Sequence, residues 1–469
     1  MRFVMVVVMM LILSVYFPIS AQEVIVTTCD FESLQEALNS QATTITFDCS
    51  GEIIFDDFIT VFGNKQIDGG GDVAFDGNRE TLLFVVNIDA SLIVDGVTFQ
   101  NGKDADAGAI LNYGNVSIFD STFVHNRALN GGAITNAGQL SITNSKFDGN
   151  RAEDDVQSLA GAIFNAEGSN ITITNTTFLN NFASYGGAIF NIGNLTVSES
   201  TAFDNEAEFS GGVVYNFGGG VATIQDSLFF ENQAFDGGAL VNDNGTLTIT
   251  TSEFSDNTVE SDGGVLYNMN DGAVTVFGST FRGNSASFVG AIYNTQGEVA
   301  IFDSTFYQNN SYTQAGAIYN NDILNITNST FVENSANDRG GAVYTFGQNT
   351  IVTITHSTFV NNTDSGGMGA IYSYGTTTVS DSIITGEEGQ CGGLSPILAD
   401  DTNLANHACG DSVVMNDLLL GEFNGKFVPL LPDSPALDAI DAPCEPENDQ
   451  IGTTRPQGEK CDIGAVEMP

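Results

Sequence analysis

Along most of this chain apolar and polar residues alternate at a period of two, and the alternation restarts about every 25 residues. Runs such as QLSITNSKF, TLTITTSEF and EVAIFDSTF alternate, with an apolar side chain at the second and fourth positions and a phenylalanine at the ninth. That period marks a half-buried strand and excludes a helix. A shorter apolar run follows a turn glycine, as in GAILN, GGAITN, GGAIFN, GGVLYN and GAIYN. The turn glycine recurs at Gly108, Gly132, Gly161, Gly187, Gly212, Gly238, Gly264, Gly290, Gly316, Gly341 and Gly369, in steps of 24 to 29 residues. A third short strand or turn is expected around the F-x-x-N segment. Three strands and three turns in about 25 residues fit one coil of a parallel β-helix. A propeller blade needs four strands in ~40 residues. Coils stacked ~4.8 Å apart make a rod on the order of 50–65 Å long.

The repeat can be read as columns. Two residues after the glycine stands an aliphatic core column from Ile110 to Ile371. Asn112, Asn136, Asn165, Asn191, Asn216, Asn242, Asn268, Asn294 and Asn320 follow on the same face, replaced by Thr345 and Ser373 at the end. Such a column is expected to form an amide ladder from coil to coil. A second Asn column contains Asn126, Asn150, Asn181, Asn232, Asn257, Asn284, Asn309, Asn334 and Asn362. Phe123, Phe147, Phe178, Phe203, Phe229, Phe254, Phe281, Phe306, Phe331 and Phe359 form a second core stack. All of these read as scaffold. One aromatic column lies on the opposite side of the strand from the aliphatic one: Phe164, Phe190, Tyr215, Tyr267, Tyr293, Tyr319, Tyr344 and Tyr372. By alternation it points outward. There it either stacks on sugar rings or docks a partner, or stiffens the sheet beneath a neighbouring turn.

The ends differ from the middle. Residues 1–21 read as a secretory signal peptide, with Arg2, an apolar stretch from Phe3 to Phe17 and a small residue at Ala21. Residues 22–90 read as an N-terminal cap and irregular first coils, 91–384 as the array, and 385–469 as a loop-rich C-terminal cap. FESLQEAL (Phe31 to Leu38) reads as a short helix closing the stack. DGGGD (Asp68 to Asp72) reads as a turn between coils, since it lacks calcium-loop spacing. The longest insertion is EDDVQS, Glu153 to Ser158. Six cysteines fall in local groups outside the repeats: Cys29 with Cys49, Cys391 with Cys409, Cys444 with Cys461. Fifteen pairings are formally open. Local ones are favoured because the array holds the two ends apart, and an oxidising compartment follows.

Charge narrows the partners. There are 58 acidic against 12 basic residues, a net charge of −46. This excludes a general nucleic-acid binder, which needs a basic surface. It also opposes anionic membranes and, without a bridging cation, acidic polysaccharides. No cofactor or metal site is expected.

The GGAIxN and FxxN repeats resemble those of the polymorphic outer-membrane protein family of bacterial surface proteins. CDFESLQEAL followed by TITFDCSGEI resembles the cap of secreted β-helix proteins. The ending DSPALDAIDAPC…DQIGTTRPQGEKCDIGAVE resembles the choice-of-anchor Q ending of bacterial surface proteins. The resemblance implies an all-β, right-handed parallel β-helix with disulfide-stapled caps, on or outside the cell and often adhesin-like. It implies no catalytic set. Polymorphic membrane proteins end in a transmembrane barrel, for which there is no room after Ile384, so free secretion or non-covalent attachment is expected.

Two functions follow as expectations. The first is a surface rod, monomeric, binding an extracellular glycan or a surface protein along the aromatic column. The second is a polysaccharide lyase or glycoside hydrolase of the pectin-lyase-like type. A hydrolase needs paired carboxylates in a groove. A lyase needs acidic metal ligands beside a base, for which Arg127, Arg151, Arg282 and Arg339 are the candidates. His125, His356 and His407 are scattered and suggest no triad.

Overall fold

The computed structural model describes residues 22–153, 157–387, 389–441 and 443–468. The signal-peptide reading of residues 1–21 and the middle of the EDDVQS insertion lie outside them. The chain forms a right-handed parallel β-helix of about 15 turns with about 25 residues per coil. Fifteen turns at ~4.8 Å make a rod of roughly 70 Å.

One coil shows the plan. Ile292–Asn294 belongs to the first sheet. Gly297–Phe302 and Thr305–Tyr307 belong to the second. Asn310–Ser311 belongs to the third. Each strand pairs in parallel with its equivalents one coil away, as in Ile292↔Ile318, Val299↔Leu324 and Phe306↔Phe331. The alternating run is therefore two strands, not one. A left-handed residue breaks it at Asp303 (φ 53°), and another, Gln308 (φ 53°), ends the second piece. Equivalent corners carry Asn144, Asp226, Asn328 and even the β-branched Thr251, all at positive φ. Short polar side chains tolerate this region best.

Each corner residue is followed by a buried polar one that joins the coils. After the first corner comes a serine: the Ser279 backbone N–H donates to Ser304 Oγ (3.1 Å), whose hydroxyl donates to Phe302 O (2.7 Å). After the second comes the asparagine: Asn284 Nδ2 donates to Asn309 Oδ1 (2.9 Å) and to Phe254 O (3.0 Å). The other asparagine column does the same, with Asn268 Nδ2 to Asn294 Oδ1 at 2.9 Å. Both amide ladders are as the columns indicate, and they satisfy the donors and acceptors that the tight corners would otherwise orphan. The repeated turn glycines are needed for close approach: a Cβ on Gly264 would strike the carbonyl of Gly290 in the next coil. Gly263, immediately before it, has φ 68°.

Over most of its length the phenylalanine column is a face-to-face stack, with Phe229 and Phe254 meeting edge-on. Phe281, Phe306, Phe331 and Phe359 lie 4.7 Å apart and within 5° of parallel. Phe203 is not in it. Ala202 occupies the core place between Phe178 and Phe229. Phe203 sits on the outer side and stacks on Phe230 at 5.0 Å. The strand's phase is set by the corner serine, Ser200, and the aromatic here comes one residue late. Asn205 correspondingly belongs to the asparagine ladder, bonding Asn232 at 3.0 Å.

The N-terminal end is closed by α1 (Phe31–Asn39), capped by Asp30, with Leu34, Ala37 and Leu38 buried. The Cys29–Cys49 bridge staples it. DGGGD is not a turn between coils. It is a bulge within the strand Asn64–Asp76, where the register with the next coil shifts between Asp68 and Val73.

The C-terminal region differs from a simple end cap. Coils continue past Ile384: Cys391–Gly393, Ile397–Ala399 and Leu404–Ala405 stack on the preceding coil, and Val413–Val414 on Leu404–Ala405. Cys391–Cys409 staples this last piece. The remaining residues turn back and run as a strap across the outer face of the second sheet. Thr305 Oγ1 donates to Lys426 O (2.6 Å), Asn328 Nδ2 to Asn448 O (2.7 Å), and Ala465 N–H to Thr358 Oγ1 (3.0 Å). Gln450, buried, donates to Ser304 O at 3.1 Å. The DQIGTTRPQGEKCDIGAVE segment ties the strap together. Arg455 and Glu467, both inaccessible, pair at 3.0 Å, Asp449 accepts from the Glu467 N–H at 2.7 Å, and Cys444–Cys461 closes the loop.

Candidate functional site

The aromatic column is in register on successive coils of the first sheet, running Phe164, Phe190, Tyr215, Val241, Tyr267, Tyr293, Tyr319, Tyr344, Tyr372. The rings point away from the main core, as alternation requires. Neighbouring centroids are close: 5.1 Å for Phe190–Tyr215, 5.0 Å for Tyr267–Tyr293, 4.8 Å for Tyr293–Tyr319 and 5.6 Å for Tyr344–Tyr372.

The column is not an open ladder. Phe190, Tyr215, Tyr319, Tyr344 and Tyr372 are buried, at 2–8% exposure. The segments that lead into each turn glycine fold back over them. Leu159, Ala160 and Tyr185 cover the first group, and Phe288, Val289 and Ala315 the second. Only Phe164, Tyr267 and Tyr293 remain half-buried. Sequence alternation gives the side of a strand a residue faces, but not whether a loop closes over that side.

The structure adds carboxyls at the open stretch. Asp236 and Asp262 sit on adjacent coils, each directly before a glycine pair, and the Asp262 N–H donates to Asp236 Oδ1 at 3.1 Å. Burial, and then the Asp236 charge, push the Asp262 carboxyl up to about 6. Burial also raises Asp236. The phenol of Tyr267 is raised well above its ordinary value by burial and then by Tyr293 and the same carboxyls. Asp243, on the other side of Tyr267, accepts from the Tyr215 hydroxyl at 3.0 Å and from Asn270 Nδ2 at 2.7 Å. These acids escaped sequence reasoning. Their signal was visible, since an Asp stands directly before the turn's glycine pair in only two repeats, consecutive ones, at Asp236 and Asp262. The patch thus holds two half-buried tyrosine rings, phenol hydroxyls that stay protonated, and a carboxyl pair raised above the ordinary range, with Asp262 at about 6.

The other candidates do not assemble. Arg282 pairs with Glu253 at 2.8 Å on the surface, and Arg339 lies over the Tyr372 ring at 5.0 Å. His356 is buried, 3.9 Å from Asp381, far along the chain from the exposed His125. Among the described residues no group of three His, Cys, Asp or Glu side chains could hold a metal ion. Among them, too, no helix is long and apolar enough to cross a membrane.

Comparison with known proteins agrees with the coil geometry. Residues 83–254 match the family described as "Right handed beta helix region". Residues 328–345 match the Chlamydia polymorphic membrane protein repeat. No curated protein matches. The solved structures that match include the PL6 family polysaccharide lyase Pedsa3628 from Pseudopedobacter saltans, at 11% identity and TM-score 0.34, covering 82% of this chain and 92% of that one. PfbA, a surface adhesin of Streptococcus pneumoniae, matches at 14% identity and TM-score 0.35, covering 74% and 89%. Pectate lyase Pel9A matches at 13% identity and TM-score 0.31, covering 82% and 89%.

Proposed function

We propose that this chain is a secreted or cell-surface binding rod that holds a neutral extracellular glycan at the open part of its aromatic column. The observation that carries this is the meeting of the half-buried Tyr267 and Tyr293 rings with the Asp236–Asp262 pair. Aromatic rings pack on the apolar side of a sugar, and a carboxyl pair accepts from its hydroxyls. Three disulfides and the polymorphic membrane protein repeat support a place outside the cytoplasm. A protein partner on the same patch is the other occupant.

A second reading has its own observation. Two neighbouring carboxyls, one held up at about 6, are the kind of pair that serves as acid and base in a glycoside hydrolase. One incubation separates the readings. Purified protein is mixed with a panel of soluble and insoluble neutral polysaccharides, and both retained protein and released sugar ends are scored. Retention without release, lost in Y267S/Y293S, is expected. Release of sugar ends that vanishes in D262N would replace the binding rod by the enzyme. Retention unchanged in Y267S/Y293S would remove the aromatic patch from the function.

A further inference from the structure

The third sheet gathers cations that are rare elsewhere. Lys103 bridges to Arg127, and Arg127 is in register with Arg151 on the next coil. Arg79 lines the same groove one coil earlier, with Lys103 and Arg127, in a cavity of about 430 Å³. Four of the chain's 12 basic residues therefore stand on four successive coils. Like charges ~4.8 Å apart in one column repel each other. Carboxylates stand among them: Glu80, Asp104 and Glu153 line the same groove, and of these three Glu153 alone pairs with a cation among the described residues. Arg127 (3.2 Å) and Arg151 (2.8 Å) share the single Glu153. Among the described residues Arg79 and Lys103 make no ion pair at all. The next place in the column is an aromatic: the Arg151 guanidinium lies 4.0 Å over the Phe182 ring.

We propose that this stripe binds a sulfate- or carboxylate-bearing glycan strand laid along the rod axis. Guanidinium forks donate to the oxygens of such groups two at a time. The Phe182 ring stacked under Arg151 holds that guanidinium in place on the stripe. The charge around the stripe selects a sparsely charged polymer. Glu80 and Asp104 rim the groove. Beyond Phe182 the same sheet turns acidic, with Glu206, Glu208 and Glu260 lining a second groove of about 300 Å³. A nucleic acid, with a charge every few ångströms, would run into those carboxylates. A glycan with one anionic group per disaccharide or fewer can seat its charges on the stripe and its hydroxyls against the acids. The site lies on a different sheet from the tyrosines and stands or falls independently of them.

The test is affinity gel electrophoresis of the purified chain through sparsely sulfated dextran, sparsely carboxymethylated dextran and uncharged dextran, without divalent cations. Comparison is with R79S/K103S/R127S, whose removed side chains are all on the surface; a matching thermal melt confirms its fold. The expected result is retardation by one or both anionic polymers, abolished by about 0.5 M salt as screening predicts, and weakened at least about tenfold in the triple variant. The Y267S/Y293S variant should be retarded as wild type is. No retardation by either anionic polymer, or equal retardation of the triple variant, overturns the proposal. Equal retardation by single-stranded DNA overturns its assignment to a glycan.

Discussion

Removing one rung of the buried amide ladder should cost several kcal/mol. Asn257 is fully inaccessible and makes five hydrogen bonds through its side chain and N–H. Its Oδ1 accepts from the Asn232 backbone N–H (3.1 Å) and from Asn232 Nδ2 (3.0 Å). Its Nδ2 donates to Phe229 O (3.0 Å) and Asn284 Oδ1 (3.1 Å). In Asn257→Ala the Asn232 N–H loses this acceptor, while Asn232 Nδ2 keeps Ala202 O. An orphaned buried donor costs ~1–3 kcal/mol, and the two lost donor bonds ~1 kcal/mol each, so about 3–5 kcal/mol is expected. Asn194→Ala is the control. It deletes an Asn–Asn bond of 2.7 Å to Asn170, but on the exposed surface, where about 0.5 kcal/mol or less is expected. A solenoid's stability is a sum of coil and interface contributions. The pair is therefore compared by urea denaturation and by hydrogen exchange of the coils flanking residue 257. Costs for the two variants within about 1 kcal/mol of each other would refute the argument that burial, and not the amide bond itself, gives the ladder its weight.

Two further outcomes follow from register and from burial. Phe281→Ala removes a member of the core stack and should cost about 3–5 kcal/mol, whereas Phe203→Ala, on the outer side, should cost under about 1.5 kcal/mol; urea midpoints decide, and equal values would put Phe203 back in the core. His356 is held down at about 4, against an ordinary 6.5, by burial and then by Arg455, so the unfolded chain takes up a proton near 6.5 that the folded one resists. Stability should therefore fall as pH drops through that window, by up to about 3 kcal/mol. His356→Asn, which suits the left-handed corner, should flatten this part of a denaturation series between pH 7 and 4.

The array was legible in advance because every coil repeats the same physical demands. Alternation marks the strands, the glycine column marks where coils touch, and the asparagine columns mark where tight corners need side-chain partners. One irregular coil shows the limit. Aligning by aromatic residue placed Phe203 in the core, but the backbone takes its phase from the corner before Ser200, and Ala202 fell inward instead. Reading one alternating run across the left-handed corner at Asp303 passed over a signal in the sequence: Ile301 and Phe306, both buried, are five residues apart, an odd step that a single strand cannot put on one face.

By itself the sequence determined the solenoid, its period and most of its core columns, and favoured local disulfide partners, all of which depend on residues close in the chain or on repetition. Only the tertiary structure decided what covers what. It laid loops over most of the tyrosines and folded the C-terminal strap against Thr305, Asn328 and Thr358, well over one hundred residues away from its contacts. It also brought Asp236 to Asp262, and Lys103 to Arg127 and Arg151, one coil apart. Net charge is a sum over the chain and carries no position. Stacking coils in register turns a scatter of single cations, each about 24 residues from the next, into one stripe.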